Sequence, residues 1–305
     1  MSTRAMGPGT GWSWLVRAVN LGRNNAKAVI GGIALVALVA LVPSIVQMLV
    51  QPALGARPDA LLTVIGLTTM LSLVVFPLLI GGVLRVIDAA ERGQPARAGA
   101  VFDTFRAGNG GGRLIGFGLL MTALYLLVFG SIIGSFGQGL PEWYMQLMAL
   151  TMEAGGKPVQ PEDIPAPPAG LGMVMALGLL FGLFLGGAYA IGFGQVALGS
   201  RGVFAAIGDG LTGALKNLLP IAVLAVLTII ALFALTLVLT LVGGVLAVVG
   251  GLVHPMLAIL LVAPVYLGMI LLMYVVMFGV MYHMWRDICG EAVTPPPLPG
   301  DQVEL

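Results

Sequence analysis

The chain has 305 residues, of which 59% are hydrophobic and only 9% charged, with a formal net charge of +1. A soluble domain carries roughly 25% charged residues, so water is excluded as the solvent for most of this surface, and a near-neutral chain has no global basic field to recruit nucleic acid. The single cysteine, Cys289, excludes an internal disulfide and any multi-cysteine metal site.

In chain order, the stretch from Trp12 to Lys27 reads as a short amphipathic helix lying on a membrane surface. Ser13, Arg17, Asn20, Asn24 and Lys27 recur at helical spacing on one face, and Trp12, Val16 and Val19 on the other. The apolar run that follows is longer than the roughly 7–15 residues of a signal h-region, and it reads as a retained signal anchor. Crossing about 30 Å of hydrocarbon takes roughly 20 helical residues. Six segments qualify, at about 28–50, 60–84, 114–136, 170–198, 219–242 and 257–284. Past the fifth, apolar character continues through Gly243 and Gly244 to Gly250, and residues 243–256 read equally as helix, loop or re-entrant stretch.

Two further surface stretches precede the third and fifth spans. One runs from Val101 to Arg106 and a glycine turn at Asn109–Arg113, the other from Val203 through Asp209 to Lys216 and Asn217. The expected fold is therefore all-α: six transmembrane helices arranged as three repeats of surface helix, span out and span back. Residues 1–290 form a single integral membrane domain and 291–305 a disordered, proline-rich cytoplasmic tail. The outward loop 140–169 is expected to be a short helix followed by an extended strap.

Orientation follows from the basic residues, which favour the cytoplasmic side. With six spans, Arg4, Arg17, Arg23, Lys27, Arg85, Arg92, Arg97, Arg106, Arg113, Arg201, Lys216 and Arg286 fall on one side, and only Arg57 and Lys157 on the other. Both termini are expected in the cytoplasm. Trp12, Trp14, Trp143 and Trp285 fall at or beside helix ends, where indole rings prefer the headgroup boundary.

No catalytic, cofactor or metal site is readable. His254 and His283 belong to opposite ends of the last hairpin, and His283 is expected to pair with Asp287 one turn on. The letters Gly192-Phe193-Gly194-Gln195-Val196-Ala197 match a dinucleotide glycine pattern but sit within a span and follow no strand. Every Asp, Glu, Lys and Arg lies outside the spans or at their ends, which argues against proton-coupled transport and ion pumping. Hydroxyls within the spans, such as Thr68, Ser72 and Thr236, are expected to bond back to their own helix or to a neighbouring one. The strongest signal inside the membrane is a stripe of small residues, Gly178, Gly182, Gly186, Ala190 and Gly194, read as a helix-packing face. Trp12, Arg17, Arg23, Lys27, Arg106 and Lys216 are the expected inner-leaflet contacts.

The segments Gly11-Trp12-Ser13-Trp14-Leu15-Val16, Ala214-Leu215-Lys216-Asn217-Leu218-Leu219-Pro220 and Trp285-Arg286-Asp287-Ile288-Cys289-Gly290 carry a resemblance. Together they resemble a family of six-span proteobacterial inner-membrane proteins with no assigned activity, similar in layout to the membrane domain of some glycerophosphodiester phosphodiesterases. The resemblance implies a six-span fold in the bacterial inner membrane and carries over no catalytic residue, since the phosphodiesterase domain is absent. The functional expectation is a non-enzymatic protein that contacts membrane lipids and a membrane-protein partner or a second copy of itself. The alternative is a transporter or flippase for a neutral or lipidic substrate, with Pro77 and Pro264 as hinges.

Overall fold

A computed structural model describes residues 3–54, 58–154 and 159–290. Arg57, Lys157 and the tail 291–305 lie outside the described residues. In chain order the elements are α1 (Thr10–Val19), α2 (Ala26–Leu54), α3 (Pro58–Glu91), the 3-10 helix η1 (Ala98–Phe105), α4 (Gly111–Phe136), α5 (Leu140–Glu153), the 3-10 turn η2 (Pro161–Asp163), α6 (Leu171–Ala197), α7 (Val203–Lys216), α8 (Leu218–Val253) and α9 (Pro255–Cys289). Six of these, α2, α3, α4, α6, α8 and α9, are long and apolar enough to cross a membrane, the architecture of a multi-pass membrane protein.

The six long helices form three hairpins, α2/α3, α4/α6 and α8/α9. The fifth span has no break: α8 continues to Val253, and its 36 residues reach about 54 Å. Its turn into α9 is tight because Gly250 lets the returning helix approach. A Cβ there would lie 2.6 Å from the Ala258 Cα. The His254 Nδ1 then accepts the Met256 N–H at 3.1 Å, and Pro255 opens the new helix at a position whose N–H needs no intrahelical bond. Pro77 and Pro264 lie inside α3 and α9, which run on past them.

At one end, called basal here, gather both ends of the described chain and the three short elements α1, η1 and α7. The opposite, distal end carries the turns of the hairpins and α5. The short elements are wedged in among the long helices. α1 packs on α8 and α9, η1 on α2 and α3, and α7 on α6 and α4. Each contact rests on a glycine that lets backbone approach backbone. A Cβ on Gly279 of α9 would sit 2.8 Å from the Ala18 Cα, and one on Gly82 of α3 would collide with the Val101 carbonyl of η1.

This wedging changes the reading of the first surface helix. α1 ends at Val19, so Asn24 and Lys27 do not share its face; Asn25 caps α2 by accepting the Ala28 N–H at 3.1 Å. The buried face of α1 is Gly11, Trp14, Leu15 and Ala18, while Trp12, Val16 and Val19 are exposed. Trp14 and Trp285 are therefore interior residues, 0% and 4% exposed, rather than headgroup anchors. The second surface stretch is a 3-10 helix, whose period of three sorts it into separate columns.

Candidate functional site

The basal layer is where polar chemistry concentrates, and its centre is the last turns of α9. Asp287 does not pair with His283. Its carboxylate instead accepts the Trp14 Nε1–H at 2.9 Å and forms a two-pronged ion pair with the Arg17 guanidinium. The His283 ring is buried, and its Nδ1 is the one buried side-chain nitrogen or oxygen without a partner among the described residues. The i, i+4 spacing placed the two groups on one face, but Asp287 has a stronger, bidentate partner from another helix.

Arg4 closes the end of α9. Its Nε donates to the Asp287 carbonyl at 2.7 Å and its Nη2 to the carbonyls of Arg286 and Gly290, at 3.0 and 2.8 Å. The Asp287 and Gly290 carbonyls are among those a helix end leaves without intrahelical partners, the Arg286 carbonyl also accepts the Gly290 N–H, and a cation there meets the negative end of the helix dipole. Asn217 is fully buried and uses its whole amide: the Oδ1 accepts the Met6 N–H at 2.7 Å, and the Nδ2 donates to the carbonyls of Arg4 and Gly213. Lys216 donates to the carbonyl and hydroxyl of Thr3, each at 3.1 Å. The start and finish of the described chain are thus tied together at one end of the bundle.

A second network joins α9 to α6 and α7 through Gln195, which is 1% exposed. Its Oε1 accepts the Trp285 Nε1–H at 3.2 Å, and its Nε2 donates to Asp209 at 2.7 Å, which Arg201 also approaches. Gly194 makes room for that indole, because a Cβ at 194 would overlap the Trp285 ring. A third chain runs from Arg286 to the Tyr282 hydroxyl and on to Asp88 of α3, which also pairs with Arg92. In the sequence Gln195 entered only as one letter of the discarded glycine pattern, although a lone amide inside a glycine-rich apolar run is the signal that marks it.

Among the described residues no group of histidine, cysteine, aspartate and glutamate is arranged to hold a metal ion. The carboxylates of Asp88, Asp209 and Asp287 are each committed to a cation and a neutral donor. Of the expected inner-leaflet contacts, Arg17 and Lys216 are engaged in these networks, and Arg106 pairs with Asp103 at 3.2 Å while remaining largely exposed. Arg23 and Lys27 are exposed and have no hydrogen-bond or ion-pair partner among the described residues.

The small-residue stripe divides along its length. A Cβ on Gly178 or Gly182 would lie 3.8 Å from the Phe129 ring, one on Gly186 would meet open space, Ala190 is buried and Gly194 abuts Trp285. Close backbone approach in α6 also uses Gly192, whose added Cβ would lie 2.7 Å from the Phe117 ring. Farther along the spans, hydroxyls bond back to their own helices, as for Thr68 to Val64, Ser72 to Thr68 and Thr240 to Thr236.

A surface groove of about 450 Å³ opens at the basal end between α3 and η1, lined by Arg85, Val86, Ala89, Arg97, Ala100 and Asp103 among others. Arg85 is half-buried there and donates through Nε to the Ala197 carbonyl at the end of α6, at 3.1 Å. The segments that carried the family resemblance meet in this same layer, through Trp14, Asn217 and Asp287, with Gly11 set against the Pro220 carbonyl. Comparison with protein-family models, with curated proteins and with solved structures gives no match.

Proposed function

We propose that the chain is a non-enzymatic protein of the bacterial inner membrane, with both termini in the cytoplasm, that works through lipid and protein contacts at its basal face. One observation carries the reading. The basal end uses the Arg17–Asp287 and Arg201–Asp209 pairs to hold the short elements α1 and α7, and at its surface it presents aromatic rings and uncommitted cations. Trp12, Phe102, Phe105 and Phe204 are 57%, 39%, 46% and 80% exposed, and Arg23 and Lys27, at the same end, are exposed and have no partner among the described residues. Aromatic rings with basic side chains are the chemistry of an anionic headgroup region, where each cation contributes about 1 kcal/mol.

The packing of the short elements supports the three-repeat reading. Each precedes one hairpin and packs on the hairpin before it, and α1 closes the cycle on α8/α9. The transport alternative is disfavoured by the central helices α3, α6 and α9. Each contacts the other two, and Leu79, Phe193 and Phe278 fill the space between their basal halves at 0–1% exposure, which leaves no open path at that end.

Proteoliposomes containing a fluorescent phospholipid test the choice. Non-enzymatic lipid contact predicts higher thermal stability in phosphatidylglycerol than in phosphatidylcholine, and no increase in the fraction of label a membrane-impermeant quencher reaches. Label bleached beyond the outer leaflet's half, above protein-free vesicles, would replace this reading with lipid translocation.

A further inference from the structure

We propose that the groove between α3 and η1 seats the phosphate of an anionic phospholipid headgroup, held by Arg85 and Arg97. The inference rests on the lipid-contact reading above and names the site and chemistry of one such contact. It begins with the geometry of η1. In a 3-10 helix side chains three apart eclipse one another, so this segment has three distinct columns. Ala98, Val101 and Thr104 form the packing column. Val101 and Thr104 are buried, and the Thr104 hydroxyl donates to the Leu78 carbonyl at 2.8 Å. Gly99, Phe102 and Phe105 form an exposed column, with the two rings 6.2 Å apart. Arg97, Ala100, Asp103 and Arg106 form the third, and its first three members line the groove.

Across the groove stand Arg85, Val86 and Ala89 of α3. The Arg85 Nε is fixed by the Ala197 carbonyl, while its two terminal nitrogens have no partner among the described residues. The guanidinium is thus oriented with donors to spare, the arrangement that favours bidentate phosphate recognition. Arg97 is 72% exposed and only 3.8 Å from Asp103, whose closer partner is Arg106 at 3.2 Å. Arg113, bonded to the Ser200 carbonyl, is an electrostatic neighbour of Arg85. Of the charged groups that line the groove, the two guanidinium groups of Arg85 and Arg97 outnumber the one carboxylate of Asp103, which Arg106 already pairs, and the groove is cationic.

Two features select a lipid phosphate over a free one. The groove lies at the end of a span, the level of headgroups, and Val86, Ala89 and Ala100 give it apolar walls. Beside it the exposed Phe102 and Phe105 offer an apolar surface to the glycerol and upper acyl chain, which inorganic phosphate cannot use.

Native mass spectrometry of the full chain, released from nanodiscs of mixed phosphatidylglycerol and phosphatidylcholine, tests this. Wild type is expected to retain phosphatidylglycerol in preference, and Arg85→Gln with Arg97→Gln to lose at least tenfold of that retention. Because Arg85 also ties α3 to α6, two milder variants accompany it: Arg97→Gln alone, and Ala100→Trp, which fills the groove and leaves its charges. Both are expected to reduce retention while keeping the wild-type melting temperature. Preferential retention in wild type that none of the variants changes overturns the groove and leaves the broader lipid-contact reading standing. No preference in wild type overturns both. Displacement of the lipid by millimolar inorganic phosphate in wild type but not in Ala100→Trp assigns the site to free phosphate and overturns the headgroup.

Discussion

The basal layer and the distal halves of the same helices obey opposite rules. Around Trp14, Tyr282 and Trp285 the chain buries large side chains and spends its polar groups on one another. Toward the distal end two strongly apolar helices, α8 and α9, are the least covered. None of the best window of α9 is buried and only 11% of that of α8, with Phe233, Leu252 and Val253 at least 74% exposed. In water such a surface is an aggregation liability, whereas in hydrocarbon it costs nothing to leave apolar side chains facing lipid. Specificity of fold therefore resides in the basal layer, and the distal halves need only be apolar and helical. The short helices repeat the contrast: α1 buries Trp14 completely, while no residue of α5 whose burial is described is buried.

The sharpest break of this comparison is a pair of glycine substitutions. Gly194→Leu drives a side chain into the Trp285 ring, and overpacking of this kind costs about 1–3 kcal/mol or more; melting in detergent should show loss of folded protein. A Cβ at Gly244 in α8 would meet nothing within 4 Å, and Gly244→Leu is expected to stay within about 0.5 kcal/mol of wild type. Equal losses from the two would mean that packing is not confined to the basal layer.

Asp287→Ala comes next. It leaves the Trp14 indole N–H and the Arg17 guanidinium without their acceptor, a loss of about 1–3 kcal/mol, moderated because Arg17 is partly exposed. Chemical denaturation of the variant against His283→Ala separates the observed pairing from the i, i+4 alternative. A double-mutant cycle is expected to give a smaller coupling between Asp287 and His283 than between Asp287 and Arg17; the reverse order would restore the i, i+4 pair. Gln195→Leu should fall in the same range, since it removes the acceptor of Trp285 and a donor to Asp209 at once. The smallest effect belongs to Thr240→Val, whose hydroxyl only returns to its own helix at Thr236, and thermal stability should be unchanged within error.

What the sequence disclosed follows the same division. The six spans were legible because length and hydropathy alone define them, and the continuity of α8 through residues 243–253 was not, since glycine pairs are compatible with a helix, a turn or a re-entrant bend. The basal layer was mostly illegible because its bonds join residues far apart in the chain: Trp14 with Asp287, Arg4 with the end of α9, Asn217 with Met6. Counting Arg17 and Lys216 as basic residues gave an orientation, but nothing local says that each has an internal partner. The candidate groove was hidden for a related reason, since it depends on the period of three in η1, and Val101 to Arg106 suits an α-helix equally well by composition.

The most direct test is amide hydrogen exchange of the protein in nanodiscs, comparing α1 with α5, two short helices of similar apolar character. If α1 is built into the basal layer, its amides exchange on the order of 100-fold more slowly than those of α5, because exposing them requires opening the packed layer. Equal, fast exchange in both would mean that α1 lies loosely on the membrane surface, and the division between a packed basal layer and lipid-solvated distal halves would fail.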